Sequence, residues 1–385
     1  MKAAVFHKPG LIQVDTVDDP SILDPRDVIL KVTATAICGS DLHILSGAVP
    51  QKNNMVMGHE FMGIVEEVGA AIKTLKKGDR VVVPFPISCG HCFFCNNGAS
   101  PHCENSNYEH YGPNGDLLDE KGGALFGYTD LYGGYSGGQA EYVRVPYADV
   151  SPRVISDDLS DEQVLFLTDI FPTGWSSIDW AQLKGGETVA IFGSGPVGLM
   201  AQKAAWINGA ARVIAIDPLE YRLTKAREVN KVETLNPHKV DVIEALREIT
   251  DGRGADVCVD AVGFEPERNI MDRLKATVNI EKGSMKVLDA VFKAVRRGGT
   301  VSIMGVYGST YDNFPLHRIF DKAITIKQGQ TPVLNYIDKL IDLVKQNKVQ
   351  LDDIISHTIP LSEAARGYEI FDKKEDDCVK VVLKP

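Results

Sequence analysis

The chain has 385 residues, of which 44% are hydrophobic and 24% charged, with a formal net charge of −11. That length is long for one compact domain and natural for two, and the composition is that of a globular chain rather than a disordered one. Acidic and basic residues are interspersed and no Lys/Arg tract occurs, which argues against nucleic acid or an anionic membrane as the main partner.

The first residues, MKAAVFHKPG, lack the apolar core of a signal peptide. No run of about 18 apolar residues occurs, so we expect a cytoplasmic protein without a membrane partner.

In chain order, residues 1–150 predict mostly β structure. AAVF, VILKVTA, FMGIVEEVG, DRVVVP and AEYVRVPY are short and Val-rich, and Gly, Pro or Asp bounds them. Residues 78–80, GDR, read as a turn entering a strand. Residues 104–138 are rich in Gly, Tyr and Asn and read as a long ordered loop. From 187 to 305 apolar strands alternate with amphipathic helices. TVAIFG, RVIAID, DVCVDAV and TVSIMGV are predicted strands. PVGLMAQKAAWINGA, LEYRLTKAREV, DVIEALREIT and SMKVLDAVFKAVRRGG are predicted helices. Such alternation implies a doubly wound parallel sheet. The last 75 or so residues are mixed, and we read them as returning to complete the first domain. The expected division is therefore 1–169, 170–308 and a returning segment 309–385.

Three groups of residues carry chemistry. Cys38 stands in CGSDLH after a strand, and His59 and Glu60 stand in GHEFMG before another. Singly, each has a bland reading as a buried thiol, a core imidazole or a solvated carboxylate. A catalytic zinc needs three protein ligands and one open position. Cys38 and His59 supply two, and Asp169 or Glu60 are the candidates for the third.

Cys89, Cys92, Cys95 and Cys103 read C-x2-C-x2-C-x7-C, four of the seven cysteines within 15 residues. In a chain this long the cluster indicates metal rather than a disulfide framework. Four thiolates at these spacings close a tetrahedral shell around Zn²⁺, and Gly90, Asn97, Gly98 and Pro101 supply the turns. An iron–sulfur run would space its fourth cysteine differently. A four-thiolate site has no open position and is assigned a structural role.

Gly193-Ser194-Gly195-Pro196-Val197-Gly198 matches G-x-G-x-x-G, follows a predicted strand and opens a predicted helix. The glycines allow a tight turn and close approach of a pyrophosphate to the helix N-terminus. Asp217 ends the next strand. A carboxylate there holds ribose hydroxyls and repels a 2′-phosphate, which favours NAD over NADP; the other reading is a helix N-cap, and the two roles can coexist. Arg222, one turn into the following helix, either flanks the ribose or adenine or is solvated surface.

These features occur together and in order, and the chain resembles the medium-chain zinc alcohol dehydrogenases over essentially its whole length. The matching pieces are CGSDLH, GHEFMGIVEEVG, the 89–103 cysteine loop, PTGW at 172–175 and GSGPVG. The resemblance implies an α/β architecture: a β-rich GroES-like catalytic domain carrying the zinc sites, a Rossmann domain as the second, and an active site in the cleft between them. Within the family, LFGYTDLYGGYSGGQAEYVRVPYADV (125–150), LTDIFPTGW (167–175) and GQTPV (329–333) look closest to the glutathione-independent formaldehyde dehydrogenases and formaldehyde dismutases. In that branch an aspartate replaces the usual third cysteine ligand. Asp169 stands at the matching place, and no cysteine occurs between Cys103 and Cys258. Glu60 would then lie behind the ligands, or swap in as water leaves. The branch also carries an insertion that covers the adenine end and retards cofactor release. Here the segment 264–285 is present but more charged and helical than that role suggests.

The resemblance implies a cofactor set of two Zn²⁺ per chain and NAD. Zinc held at the catalytic site would supply Lewis acidity toward the substrate oxygen, and one thiolate (Cys38) and one carboxylate (Asp169) would formally balance its charge. By the same resemblance the proton is expected to pass from Ser40 through a ribose hydroxyl to His43 and on to solvent. Thr173 resembles the residue that packs against the nicotinamide in the family, and Val262 and Val306 are expected to flank it from strand ends. We expect a homo-oligomer, a tetramer ahead of a dimer. The expected reaction moves a hydride between a small alcohol or hydrated aldehyde, formaldehyde-like, and NAD. The rivals are a polyol, butanediol or threonine dehydrogenase of the same family and, from another class, a non-catalytic nucleotide-binding protein.

Overall fold

A computed structural model describes residues 1–49, 51, 54–107, 122–262, 285–307 and 314–385. They divide into two compact units, Met1–Pro172 with Thr331–Pro385, and Thr173–Gln330. Among the described residues no helix is long and apolar enough to cross a membrane.

The first unit is built on a seven-stranded sheet. Its central strand, Val28–Ile37, pairs antiparallel with Glu60–Val68, Tyr142–Val145 and Val381–Lys384. Val28, Leu30, Val32, Phe61, Val65, Val81, Val83, Val143 and Val145 fill the core beneath it. β-Branched side chains suit this half-buried pleated surface. The register positions the chemistry. Ala36 lies opposite Glu60 and Ile37 opposite Val381. Antiparallel pairing therefore brings Cys38, one residue past its strand, beside His59, one residue before its own, with Lys380 entering from the third chain direction.

The second unit holds a six-stranded parallel sheet in the order Glu233–Leu235, Arg212–Ile216, Thr188–Phe192, Ala255–Asp260, Val295–Ile303, Thr325–Gln328. The strand order reverses at Thr188–Phe192, which makes a crevice outside the carboxyl ends of the strands. Helices Pro196–Ile207, Glu220–Asn230, Val242–Ile249 and Lys286–Ala294 connect them. Ala190, Ile214, Cys258, Val291, Phe292 and Val301 form a core of this unit.

The first division falls after Pro172 rather than after 169, and two further boundaries differ for a structural reason. The returning segment begins at Thr331 rather than 309, because Thr325–Gln328 pairs with Val295–Ile303 and extends the parallel sheet. The last predicted helix stops at Ala294 instead of running through Arg-Arg-Gly-Gly. Val295 is already extended (φ −69°, ψ 140°) and pairs with Ala255, so the next strand starts there. Residues 264–284 lie outside the described residues, and the expectation about cofactor retention falls on them.

Candidate metal centres and dinucleotide site

Cys38, His59, Glu60 and Asp169 each offer one donor atom, and these atoms all lie within 4.8 Å of one another, buried. His59 Nε2 is 3.2 Å from Asp169 Oδ2, and Cys38 Sγ is 3.7 Å from the same oxygen. Ser40 Oγ stands 3.4 Å from His59 Nε2. Asp169 follows a 3-10 turn, Leu165–Leu167. The Phe85 N–H donates to the Thr168 carbonyl (3.1 Å), which ties this segment to the end of strand Arg80–Val83. Phe85 and Tyr128 meet the His59 ring edge-on, with centroids 6.1 Å away in each case. His43 is half-buried on the short helix Gly39–Leu45.

The electrostatics favour a bound cation. Burial raises the Cys38 thiol pKa, and the negative charges of Glu60 and Asp169 raise it further. Burial likewise raises Glu60; Lys380 opposes this and Asp169 adds to it. Burial opposes charge on His59, but Asp41 and Asp169 outweigh it and hold the imidazole well above its ordinary value. A thiolate and two carboxylates crowded into one dry place are costly unless a positive charge joins them. Glu60 Oε2 is buried without a hydrogen-bond partner, while Oε1 is held by Lys380 Nζ at 2.6 Å. One thiolate, one imidazole and one or two carboxylates form a donor set that suits Zn²⁺.

Sequence reasoning missed two charged groups behind this cluster. Lys380 is fully buried and also donates to the Ile37 carbonyl (2.9 Å). A single lysine in VKVVL carries no signal; only the strand register brings it to Glu60. Asp41 is fully buried, and its Oδ1 lies 3.2 Å from His59 Nδ1. Both atoms are buried without a hydrogen-bond partner, so the two face one another as a close charge contact. Its place between Ser40 and His43 was the available clue.

The four loop cysteines form the second cluster. Cys92 Sγ is 4.0 Å from Cys103 Sγ. The Cys89 N–H points at Cys103 Sγ (3.2 Å), the Cys95 N–H at Cys92 Sγ (3.5 Å), and the Asn105 amide at Cys89 Sγ (3.2 Å). Burial opposes ionisation of Cys89, but N–H donors from His91, Asn105 and Cys92 outweigh it and bring the thiol down to about 6. Burial raises Cys95 and Cys103. Backbone donors aimed at sulfur are the surroundings of thiolates, and four clustered thiolates fit a closed zinc shell. Cys89, Cys92 and Cys103 pack on the first unit's core, which anchors the loop.

In the second unit the glycine motif has the required shape. Gly193 sits at φ +98°, and a Cβ there would lie 2.9 Å from Val262. A Cβ on Gly198 would meet the Gly193 carbonyl oxygen at 2.0 Å. Beside Gly195, in contrast, the nearest atoms belong to Arg222, 3.7 Å from a built Cβ. That leaves the amino end of helix Pro196–Ile207 approachable, with Pro196 and Val197 in its first turn. Asp217 is buried; its Oδ2 accepts from the Ser194 N–H (2.8 Å) and its Oδ1 from the Leu219 N–H (2.8 Å). It is not the N-cap, since the cap of helix Glu220–Asn230 is Leu219. Arg222 is largely buried rather than solvated, 3.8 Å from Asp217. Val262 follows strand Ala255–Asp260, and Val306 follows Val295–Ile303 and is exposed. Gly193, Asp217, Val262 and Val306 thus all stand past the carboxyl ends of strands, where dinucleotides bind in such sheets. Thr173 lies in helix Ile170–Asp179.

Comparison with known proteins agrees. Residues 24–155 match the family model of the alcohol dehydrogenase GroES-like domain, and 196–280 that of the zinc-binding dehydrogenases. An uncharacterised zinc-type alcohol dehydrogenase-like protein of Bacillus subtilis is 46% identical over 100% of both chains. A glutathione-independent formaldehyde dehydrogenase of Bacillus subtilis is 35% identical over 97% of this chain and 94% of its own. The structure of an alcohol dehydrogenase from Thermus sp. ATN1 superposes with a TM-score of 0.85 at 34% identity, covering 100% of this chain and 99% of that one. The (2R,3R)-butanediol dehydrogenase of Bacillus subtilis gives 0.77 at 26%, with coverage of 100% and 99%. The chain belongs to the zinc-dependent alcohol dehydrogenase family and is an oxidoreductase with a GroES-like unit and a Rossmann-type unit.

Proposed function

We propose that this enzyme transfers a hydride between a small alcohol or hydrated aldehyde, formaldehyde-like, and NAD. The observation that carries the reading is Asp169 within donor distance of Cys38 and His59, where a second thiolate would be the common choice. A relative named as a formaldehyde dehydrogenase, similar over nearly the whole chain, supports it.

Cys38, His59 and Asp169 would hold the catalytic zinc, and Cys89, Cys92, Cys95 and Cys103 the structural one. Bound zinc would supply Lewis acidity toward the substrate oxygen, and the dinucleotide a hydride acceptor. Ser40 Oγ, beside His59 Nε2, would accept the substrate proton while handing its own on through a ribose hydroxyl toward His43. His43, about one turn further along helix Gly39–Leu45 and likewise half-buried, passes that proton outward. Glu60, held by Lys380, keeps its second oxygen available at the centre. Gly193, Gly195, Pro196, Val197 and Gly198 cradle the pyrophosphate, Asp217 and Arg222 address the adenosine ribose, and Thr173, Val262 and Val306 border the nicotinamide. We further propose a cytoplasmic homo-oligomer, a tetramer ahead of a dimer.

An initial-rate screen of formaldehyde, short alcohols, diols and threonine with NAD⁺ tests the substrate. Highest kcat/KM on formaldehyde or a short alcohol supports the reading; highest kcat/KM on butanediol or threonine replaces it. Turnover with NADP should be far slower than with NAD, and the reverse would refute the role given to Asp217.

A further inference from the structure

Behind the His59 imidazole stands the Asp41 carboxylate, in close charge contact with Nδ1, and from Asp41 a line of buried hydrogen bonds reaches the returning segment of the chain. Asp41 Oδ2 accepts from the Cys38 N–H (3.0 Å) and from Gln139 Nε2 (3.2 Å), which turns Oδ1 toward His59 Nδ1. Gln139 Nε2 also donates to the Ala36 carbonyl (3.2 Å). Its Oε1 accepts from the Tyr368 hydroxyl at 2.7 Å. Tyr368 belongs to helix Ala364–Lys373. Gln139 and Asp41 are wholly buried and Tyr368 nearly so.

Each end of the Gln139 amide is thereby assigned. A flipped amide would aim its oxygen at the Asp41 carboxylate and the Ala36 carbonyl, two acceptors, and its NH₂ at the phenol. Burial and the Asp41 charge raise the Tyr368 pKa well above the ordinary value, so the phenol stays a donor. The backbone adds a second constraint. The Gln139 N–H donates to the Met57 carbonyl (2.9 Å) and the Gly138 N–H to the Gly58 carbonyl (2.8 Å). Gly58, the residue before His59, sits at φ +100°, and a Cβ there would be 2.4 Å from Gln139 Cγ. The Gln139 side chain occupies space that only a glycine leaves next to the metal-type histidine.

We propose that Gln139 and Tyr368 are positioning residues for the catalytic zinc site: through Asp41 they fix the His59 ring so that Nδ1 faces the carboxylate and Nε2 faces Cys38 and Asp169. This rests on the reading of that cluster as a zinc site. Groups hydrogen-bonded behind a metal ligand orient it and commonly change metal affinity about 10–100-fold when removed. Tyr368 lies two bonds further out, and its removal should do less.

The test is the release of zinc to a chelator from the holoenzyme, with the two sites told apart by cobalt(II) substitution, since the four-thiolate site has the stronger sulfur-to-metal charge transfer. Tyr368→Phe, which deletes one oxygen and keeps the ring, should speed loss of the catalytic-site metal about three- to tenfold and leave the cysteine-loop metal unchanged. Gln139→Met should do the same or more. In an Asp41→Asn background Tyr368→Phe should add nothing, because the line is already cut. Wild-type release in both single variants, equal acceleration at both sites, or a Tyr368→Phe effect undiminished in Asp41→Asn would each overturn the proposal. Wild-type protein holding one zinc per chain would instead overturn the zinc-site reading itself, before any substitution is made.

Discussion

The cysteine loop and the mixed centre offer metal-type donors by opposite constructions. The loop takes four identical ligands from residues 89–103, and neighbouring backbone N–H groups aimed at sulfur complete it. In the mixed centre Cys38 and Asp169 stand 131 residues apart, three ligand types meet, and fully buried Lys380 and Asp41 stand behind them. The first is a local motif resting on a core. The second exists only when strand register joins three chain directions. A closed, uniform thiolate shell suits structure, whereas mixed ligands with an available side suit chemistry.

That contrast predicts separable failures. The largest expected effect is at Asp169. Asp169→Ala should lose the catalytic zinc or lower kcat/KM more than about a hundredfold, while metal analysis still finds the loop zinc. Two zincs per chain with full activity would remove Asp169 from the ligand set. The converse substitution, Cys103→Ser, should release the loop zinc and lower Tm on the order of 10 °C, because a structural metal contributes directly to folding free energy. If it instead abolishes turnover without changing Tm, the roles of the two clusters are reversed.

The same difference in construction explains what the sequence made legible. The cysteine spacing and the glycine motif could be read because each is local: the atoms that must meet are neighbours in the chain. The strand–helix alternation of the second unit was legible for the same reason, through periodicity. Lys380, Gln139 and Tyr368 were not. Their roles depend on Ile37 lying opposite Val381, and on the returning segment packing against residue 139, and neither leaves a local pattern. The boundary at 309 failed likewise, since Thr325–Gln328 reads as any short strand until its partner is known.

Lys380 sharpens the comparison next. Lys380 and Glu60 are both fully buried, so Lys380→Met leaves an uncompensated carboxylate and should cost about 3–5 kcal/mol in denaturant unfolding. Lys380→Met with Glu60→Gln removes both charges and should recover most of that loss. The loop zinc should stay in place throughout. A single variant as stable as the parent would mean that the centre does not depend on its distant cation.

The smallest expected effect concerns the loop alone, in zinc-stripped protein. Cys89 has its pKa lowered from 9.0 to about 6: burial opposes ionisation, but the His91 and Cys92 N–H groups and the Asn105 amide prevail. Its folded pKa lies below its unfolded one. The thiolate therefore adds stability that is complete above about pH 9 and is lost as pH falls through 6. Cys95 and Cys103 are shifted the other way and remain thiols in that window. Thiol labelling followed by peptide mapping should show Cys89 reacting from near pH 6, ahead of the other two. Simultaneous onset for the three near pH 9 would show that the loop backbone does not pre-form a thiolate site, and that its order depends on the metal as fully as the mixed centre depends on the sheet.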